Sequence, residues 1–216
     1  MSDKIFEKFA DDLFYAILES DPQAGSGLGL HDYDGRIADV SEKGRENELQ
    51  IYKDFYERLL TIDRQELSAV NRYDHDMAKW ALESAMFFME EIKSYRHNPR
   101  FYINIFSGLD NYMKREYEPF DKRLKSVISI MNRIPDTLET AEINLGKALP
   151  SVFCKYAKHS ASGFEDFFDH KLYDEIRSRT SNKDLISEYE KSGKEAVKAF
   201  EKFSKFIDSV NSDKDE

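Results

Sequence analysis

Apolar residues recur every three or four positions through most of this sequence, and that spacing limits the chain to a helical fold. In the segment 3–19, for example, one stripe is formed by Ile5, Phe9, Leu13 and Ile17. The 9 Gly and 5 Pro fall mainly between the periodic segments, where helices begin and end. No segment alternates apolar and polar residues as a half-buried strand would. The sequence therefore predicts an all-α protein without a sheet.

The periodic segments predict about eight to nine helices, packed as an array or bundle in one domain over 1–216. The third predicted helix carries Tyr73, Met77, Trp80 and Phe88 at helical spacing. The predicted helices cover 3–19, 41–62, 68–95, 100–117, 118–133, 135–145, 151–159, 164–178 and 182–210.

Turn-forming residues are concentrated in the segment 21–40, where Gly25, Gly27 and Gly29 fall close together. Glycine and aspartate at this density predict a Gly-rich loop, the longest irregular stretch of the chain. Long loops in compact domains often carry function, so this segment is a candidate for a binding role. The polar end of the chain, 211–216, is expected to fray.

The charge of the chain disfavours two classes of partner. Its 42 acidic residues exceed the 32 basic ones, which gives a formal charge of −10 and a surface that repels nucleic acid and anionic lipid. No segment approaches the ~20 apolar residues that span a membrane, and the N-terminus lacks the apolar stretch of a signal peptide. The single cysteine, Cys154, lies in an apolar run and is expected to be buried. These features predict a cytoplasmic protein.

The sequence contains no complete motif for catalysis or metal binding. None of the five histidines begins H-E-x-x-H, and no two of them are three or four residues apart, so no zinc site is predicted. A Gly-x-Ser-x-Gly elbow and a phosphate-binding loop are missing as well. The sequence thus indicates no catalytic residue, no metal and no cofactor.

The tetrapeptide His31-Asp32-Tyr33-Asp34 has three side chains able to bind a ligand or a hard cation. The favoured interpretation is a turn in which Asp32 and Asp34 accept hydrogen bonds from nearby backbone amides. An EF-hand is excluded because no Asp-x-Asp-x-Asp-Gly series ends in Glu at the twelfth place.

Several phrases of the sequence occur together in one known family. They are Asp21-Pro22-Gln23-Ala24, Gly29-Leu30-His31-Asp32-Tyr33-Asp34-Gly35-Arg36, Asn98-Pro99-Arg100-Phe101-Tyr102 and Arg133-Ile134-Pro135-Asp136-Thr137-Leu138. In order and spacing they resemble the N-terminal part of the "domain of unknown function 885" proteins, from about residue 5 to about residue 150 and more loosely to the end.

Full members of that family resemble zinc-dependent peptidases and carry their H-E-x-x-H motif in a C-terminal half. The resemblance implies that this chain stops where that half would begin, so no zinc ligand or catalytic glutamate is carried over. It implies instead a helical layer that walls one side of a substrate cleft. The family phrases single out His31, Asp32, Tyr33, Asn98 and Tyr102 as ligand-binding or cleft-lining residues, or else as residues of turns and helix caps.

Three hypotheses follow from the sequence. The first is a non-catalytic half of a split or truncated peptidase-like enzyme, which pairs with a chain that contains H-E-x-x-H and leaves an apolar face uncovered at Phe200, Phe203 and Ile207. The second is a stand-alone binding or scaffolding module that forms a homo-oligomer. The third, an enzyme with an unfamiliar site around His31, receives the least weight.

Overall fold

The computed structural model describes residues 2–212 and confirms the all-α prediction. It contains eight α-helices of eight or more residues, with shorter helical turns between them. Within the described range no strand forms, and the extended pairing present is an isolated parallel bridge between Leu149 and Asn211. The helices are α1 (Ser2–Ser20), α2 (Pro22–Gly27), α3 (Glu42–Leu60), α4 (Ala69–Phe87), α5 (Ser94–His97), α6 (Arg100–Asn104), α7 (Leu109–Lys114), α8 (Phe120–Met131), α9 (Ile134–Asn144), α10 (Ser151–Asp166), α11 (Leu172–Arg179) and α12 (Lys183–Val210).

The chain divides into two compact units. Unit 1 comprises Met1–Asp21 and Ser41–Ser94, and unit 2 comprises Pro22–Val40 and Tyr95–Glu216. The sequence shows no boundary between them, because unit 1 is interrupted by a segment of unit 2 and both units have the same helical composition. The single domain over 1–216 stays a prediction.

Unit 1 is built from α1, α3 and α4. Two serines start helices here, since Ser41 Oγ accepts a hydrogen bond from Gly44 N at the start of α3 and Ser68 Oγ accepts one from Asn71 N at the start of α4. The core differs slightly from the predicted stripe of α1, because Phe6 is buried while Ile5 is exposed. The buried side chains of this core are Phe6, Phe9, Leu13, Tyr52, Leu59, Leu67 and Leu82.

The end of α4 corrects the predicted helix 68–95. The α-helical hydrogen bonding ends at Phe87. A single π-helical turn, Phe88–Ile92, follows, in which Lys93 N donates to Phe88 O. Lys93 then adopts a left-handed conformation with φ of 50°, which ends the helix before the next turn begins.

Unit 2 is organised around α12, which packs against α8, α9 and α10. Phe200, Phe203 and Ile207 are completely buried in its core, so the expectation that they form an uncovered face is wrong. They are buried because the small residues Ala157 and Ala161 let α10 approach α12 closely. Cys154 is buried in the same core, as predicted.

Two predicted helix boundaries in unit 2 are wrong. The helix expected over 100–117 breaks into α6 and α7, joined by a turn. The break expected near 160–163 does not occur, because α10 runs on through Gly163 to Asp166 and reaches α11 by a π-helical turn, Phe167–Lys171. Packing of Ala161 against the core outweighs the poor helix propensity of the Ser and Gly residues around it.

The segment 21–40 is more regular than the predicted Gly-rich loop. It contains α2 and a short 3₁₀ turn, His31–Tyr33. Gly29, with φ of 86°, ends α2 in a Schellman motif, in which Leu30 N donates to Gly25 O and Gly29 N donates to Ser26 O. Gly25 and Gly29, which predict a loop, therefore take part in the C-terminal end of α2.

Part of the tail predicted to fray is held in place. Leu149 N donates to Val210 O at 2.7 Å, and Ser212 N donates to Leu149 O at 3.0 Å. The remaining tail residues, 213–216, lie outside the described residues.

Candidate functional site

A small pocket in unit 2 lies between the segment 21–40 and α7 with the residues that follow it. It encloses about 20 Å³, which is room for one water-sized group. Its polar lining comes from sequence positions more than 70 residues apart, so the fold brings these side chains together. The lining residues are Gln23, Ser26, Gly27, His31, Asp34, Gly108, Asn111, Tyr112, Arg115 and Tyr117.

Tyr112 and Arg115 fix one wall of the pocket. The Tyr112 hydroxyl accepts a hydrogen bond from Gly35 N at 3.2 Å and donates one to Ser26 Oγ at 3.0 Å. Burial raises the pKa of Tyr112, which therefore keeps its hydroxyl proton at neutral pH. Arg115 Nη1 donates to Gly27 O at 2.8 Å. Both contacts attach the segment 21–40 to α7 and its C-terminal end.

His31, Asp34 and Tyr117 form a second group of lining residues. The His31 ring stacks on the Tyr117 ring with 3.5 Å between centroids and an interplanar angle of 5°. His31 Nδ1 lies 3.2 Å from Asp34 Oδ2, and the Tyr117 hydroxyl donates to the same oxygen at 2.7 Å. Burial, followed by the hydrogen bond to Asp34, raises the pKa of Tyr117, so Tyr117 remains a donor.

Two polar atoms at the pocket have no hydrogen-bond partner among residues 2–212. They are Gln23 Nε2, a donor, and Asp34 Oδ1, an acceptor, and both are buried. Leaving such a group unpaired costs about 1–3 kcal/mol. A neutral group that accepts one hydrogen bond and donates another, such as a hydroxyl or a water, would satisfy both atoms.

A second candidate site is an apolar face of α4, hereafter the α4 face. Its residues follow one another along the helix and are all more than half exposed, with Trp80 at 67%. The opposite side of α4 carries His75 and Leu82, which are buried in the core of unit 1. The helical stripe that predicts α4 therefore points to solvent. The α4 face comprises Val70, Tyr73, Met77, Trp80 and Phe87.

Carboxylates flank the α4 face on both sides. Arg64 holds Asp76 with two hydrogen bonds of 2.7 Å, from Nε and Nη2, and these lower the pKa of Asp76. Glu83 accepts a hydrogen bond from the Tyr56 hydroxyl at 2.7 Å, and Lys79 Nζ lies 3.8 Å from it. Asp74 is exposed and makes no ion pair with another residue of the described range.

The described residues were compared with the requirements of a metal site and of a membrane span. Over residues 2–212, no group of three His, Cys, Asp or Glu side chains is arranged to hold a metal ion. Among the helices of the same range, none has the length and apolar character needed to cross a bilayer.

Comparison with known proteins identifies the family of the chain and one protein of similar fold. The model of a family described as bacterial proteins of unknown function (DUF885) matches residues 22–215. The chain belongs to the DUF885 family. Its fold is similar to that of a "putative lipoprotein of unknown function" from Shewanella oneidensis, with a TM-score of 0.85 and 20% sequence identity over 94% of this chain. This DUF885 chain spans 37% of the length of that structure. Among curated proteins none matches it.

The DUF885 phrases place few of their residues at the pocket. Gln23, His31 and Asp34 line it, the last two from the same turn. Asp32 is exposed and is not among the lining residues. Tyr33 is buried, and its ring packs directly against Gly25.

Asn98 and Tyr102 also lie outside the pocket lining. Asn98 Oδ1 accepts a hydrogen bond from Arg100 N near the start of α6. Tyr102 is completely buried, and its hydroxyl donates to Tyr95 O at 2.9 Å. For these two residues the structure shows the turn and core contacts that were the alternative interpretation, and their role as ligand or cleft residues stays a prediction.

The sequence misses most of the pocket. Tyr112, Arg115 and Tyr117 lie outside the family phrases, and Gln23 lies within one but is not singled out by it. Their proximity depends on how α7 packs against the segment 21–40. The one available signal is the Gly-rich segment itself, which marks where the pocket forms.

Proposed function

We propose that this DUF885 chain is a non-catalytic helical component of a larger assembly, in which it binds a further polypeptide through the α4 face. The observation that supports this proposal most directly is the exposure of Tyr73, Met77 and Trp80 along one side of α4. Covering a large apolar side chain stabilises a complex by about 1.5–3 kcal/mol before the costs of association. A contiguous exposed apolar patch is typical of a binding surface.

The length of the structural relative supports the same proposal. This chain corresponds to 37% of the Shewanella oneidensis protein, so most of that fold has no counterpart among the residues of this chain. The family resemblance further implies that the part of such proteins outside this match contains H-E-x-x-H and resembles a zinc peptidase. In such an assembly this chain would wall one side of the substrate cleft.

Co-expression with a polypeptide that contains H-E-x-x-H, encoded beside this chain, tests the proposal. The expected result is a stoichiometric complex by light scattering. Met77→Glu is expected to abolish the complex, because it places a charge in the middle of the α4 face. Ile143→Glu serves as the matched control, since Ile143 is likewise an exposed apolar residue, on α9 in unit 2.

Two results would contradict the proposal. One is a complex that forms equally well with Met77→Glu. The other is a closed homo-oligomer of the chain alone that Met77→Glu dissociates, which would favour the stand-alone scaffolding module.

A second candidate function is favoured by the unpartnered pair Gln23 Nε2 and Asp34 Oδ1. We propose that the pocket binds a single hydroxyl group of a small ligand, because a hydroxyl fits a volume of about 20 Å³ and both donates and accepts. Small alcohols should shift the NMR resonances of the Tyr117 ring in a saturable way, whereas acetate and methylammonium should not. Gln23→Glu should abolish that response. A pocket that responds to none of these probes holds only a structural water and would refute this function.

A further inference from the structure

The spacing of the α4 face is that of a coiled-coil seam. From Val70 to Tyr73, Met77 and Trp80 the intervals are three, four and three residues, and Phe87 follows seven residues after Trp80. This is the alternation of a and d positions in a heptad, with Ser84 at the intervening a position. A stripe with a period of 3.5 residues stays in contact with one partner helix that crosses it at about 20°.

The narrow width of the apolar stripe favours a partner helix over a lipid surface as the binding partner of the α4 face. A helix that lies on a lipid surface uses a broad apolar face, usually with Lys and Arg on its polar side. The α4 face is instead narrow, since Asp74 directly follows Tyr73 and Asp76 directly precedes Met77 in the sequence. These carboxylates would lie at the boundary with anionic lipid and would be repelled by it.

The other side of α4 prevents the stripe from turning inward. His75 and Leu82 occupy the position directly opposite the seam, and both are buried against unit 1, with the Phe6 ring 5.9 Å from that of His75. A rotation of α4 that covered Trp80 would expose His75 and Leu82.

The 19 residues of α4 extend over about 28 Å, which sets the length of a partner helix at about five turns.

The charges beside the seam indicate the chemistry of the partner. Asp74 occupies an e position on one side, and Asp76 and Glu83 occupy g positions on the other. Arg64 pairs with Asp76 and Lys79 pairs with Glu83, and both cations lie outside the seam. No Lys or Arg of α4 occupies an e or g position. A second copy of α4 would bring further carboxylates to the same groove, on a chain that already carries a formal charge of −10.

We propose that the α4 face binds one amphipathic helix of another polypeptide, about five turns long, with Lys or Arg at the positions that flank its apolar seam. This inference rests on the proposed function, because it specifies the polypeptide that covers the α4 face. It excludes a second copy of this chain and a lipid surface as occupants.

The single tryptophan of the chain gives a direct test, since Trp80 lies in the middle of the seam. Two 21-residue helical peptides with identical apolar a and d positions are titrated, one with Lys and one with Glu at e and g. The Lys peptide should shift the Trp80 emission to shorter wavelength in a saturable way and bind about tenfold more tightly than the Glu peptide. Added salt should reduce this difference, because the flanking charges are exposed.

Matched variants separate the seam from non-specific attraction between opposite charges. Met77→Glu should lose the response to the Lys peptide, and Ile143→Glu should retain it. Thermal unfolding midpoints close to that of the wild type would show that both variants fold, as expected for exposed positions.

Four outcomes would overturn the inference. They are equal or tighter binding of the Glu peptide, no change in Trp80 emission with either peptide, a blue shift produced by lipid vesicles, and self-association of the chain that Met77→Glu abolishes. The first outcome would leave the proposed function intact if the H-E-x-x-H polypeptide still co-purifies, so the two failures are distinguishable.

Discussion

Close contact between Gly25 and Tyr33 shows what a single residue contributes to the pocket segment. A Cβ atom added at Gly25 would lie 2.6 Å from Cδ2 of the Tyr33 ring, and that ring is buried. Gly27, two residues further on, has no atom within 4 Å of the same added position. The two glycines of one short helix thus have different requirements.

Gly25→Ala is therefore expected to destabilise unit 2 by about 1–3 kcal/mol, because the Tyr33 ring must move. Gly27→Ala, the matched control, is expected to change stability by no more than about 0.5 kcal/mol. Chemical denaturation followed by circular dichroism compares the two. Equal stability of both variants would show that the contact of Gly25 with Tyr33 is not tight.

Glu48 provides a pH-dependent test in unit 1. Burial raises its pKa, although a hydrogen bond from the Tyr52 hydroxyl at 2.9 Å partly opposes that effect. A carboxyl whose pKa is higher in the folded state stabilises the fold below its unfolded pKa and loses that contribution as pH rises through the folded pKa.

Glu48→Gln should consequently make unit 1 more stable than the wild type at pH 7, and the advantage should disappear below about pH 4. Amide hydrogen exchange in α3 and α4, measured as a function of pH, reports on the stability of this unit. The exposed Glu46→Gln is the control and should show no such pH dependence. A Glu48→Gln variant that is less stable at pH 7 would refute the assignment.

At the scale of elements, Arg123 joins α7 to α8. It is almost fully buried, and its guanidinium donates to the carbonyl oxygens of Tyr112 at 2.6 Å, Met113 at 3.1 Å and Glu118 at 2.9 Å. The Phe120 ring lies 5.5 Å from it. Arg123 thus supplies donors to the Tyr112 and Met113 carbonyls at the end of α7, where Arg179 Nη1 also donates to Met113 O at 2.9 Å.

Arg123→Lys is expected to destabilise unit 2 by about 2–3 kcal/mol, because an ammonium group cannot reach three divergent carbonyls with the geometry of a guanidinium. The exposed Arg133→Lys should leave stability unchanged. Circular dichroism during denaturation measures both. An Arg123→Lys variant as stable as the wild type would show that these carbonyls find other partners.

Individual helices also differ in how well their positions and buried faces are predicted from the sequence. The periodicity locates α1 and α12 well, since each has one apolar stripe with polar residues around it. It misleads at α4, where Tyr73 and Trp80 form one apolar stripe while Leu82 and its neighbours form another, and spacing alone does not show which one is buried. The π-helical turns at Phe88–Ile92 and Phe167–Lys171 are not predicted, because a change of backbone hydrogen bonding has no local sequence signature here.

At the scale of the whole molecule, DUF885 membership follows from short phrases whose order the sequence already displays. The pocket does not follow from them, because Gln23 and Tyr117 meet only through tertiary packing. His31 is the exception, since the turn that holds it beside Asp34 is local. The cytoplasmic location stays a prediction.

The apolar α4 face is the feature of the whole molecule that its function has to explain. In a stand-alone protein these side chains remain in water, whereas in a larger assembly they are covered. We therefore propose that another polypeptide buries Trp80.

Acrylamide quenching of Trp80 fluorescence, measured for the chain alone and for its complex with the co-expressed H-E-x-x-H polypeptide, tests this proposal. We expect strong quenching of the chain alone, together with weak quenching and emission at shorter wavelength in the complex. A complex in which Trp80 is quenched as readily as in the isolated chain would contradict it.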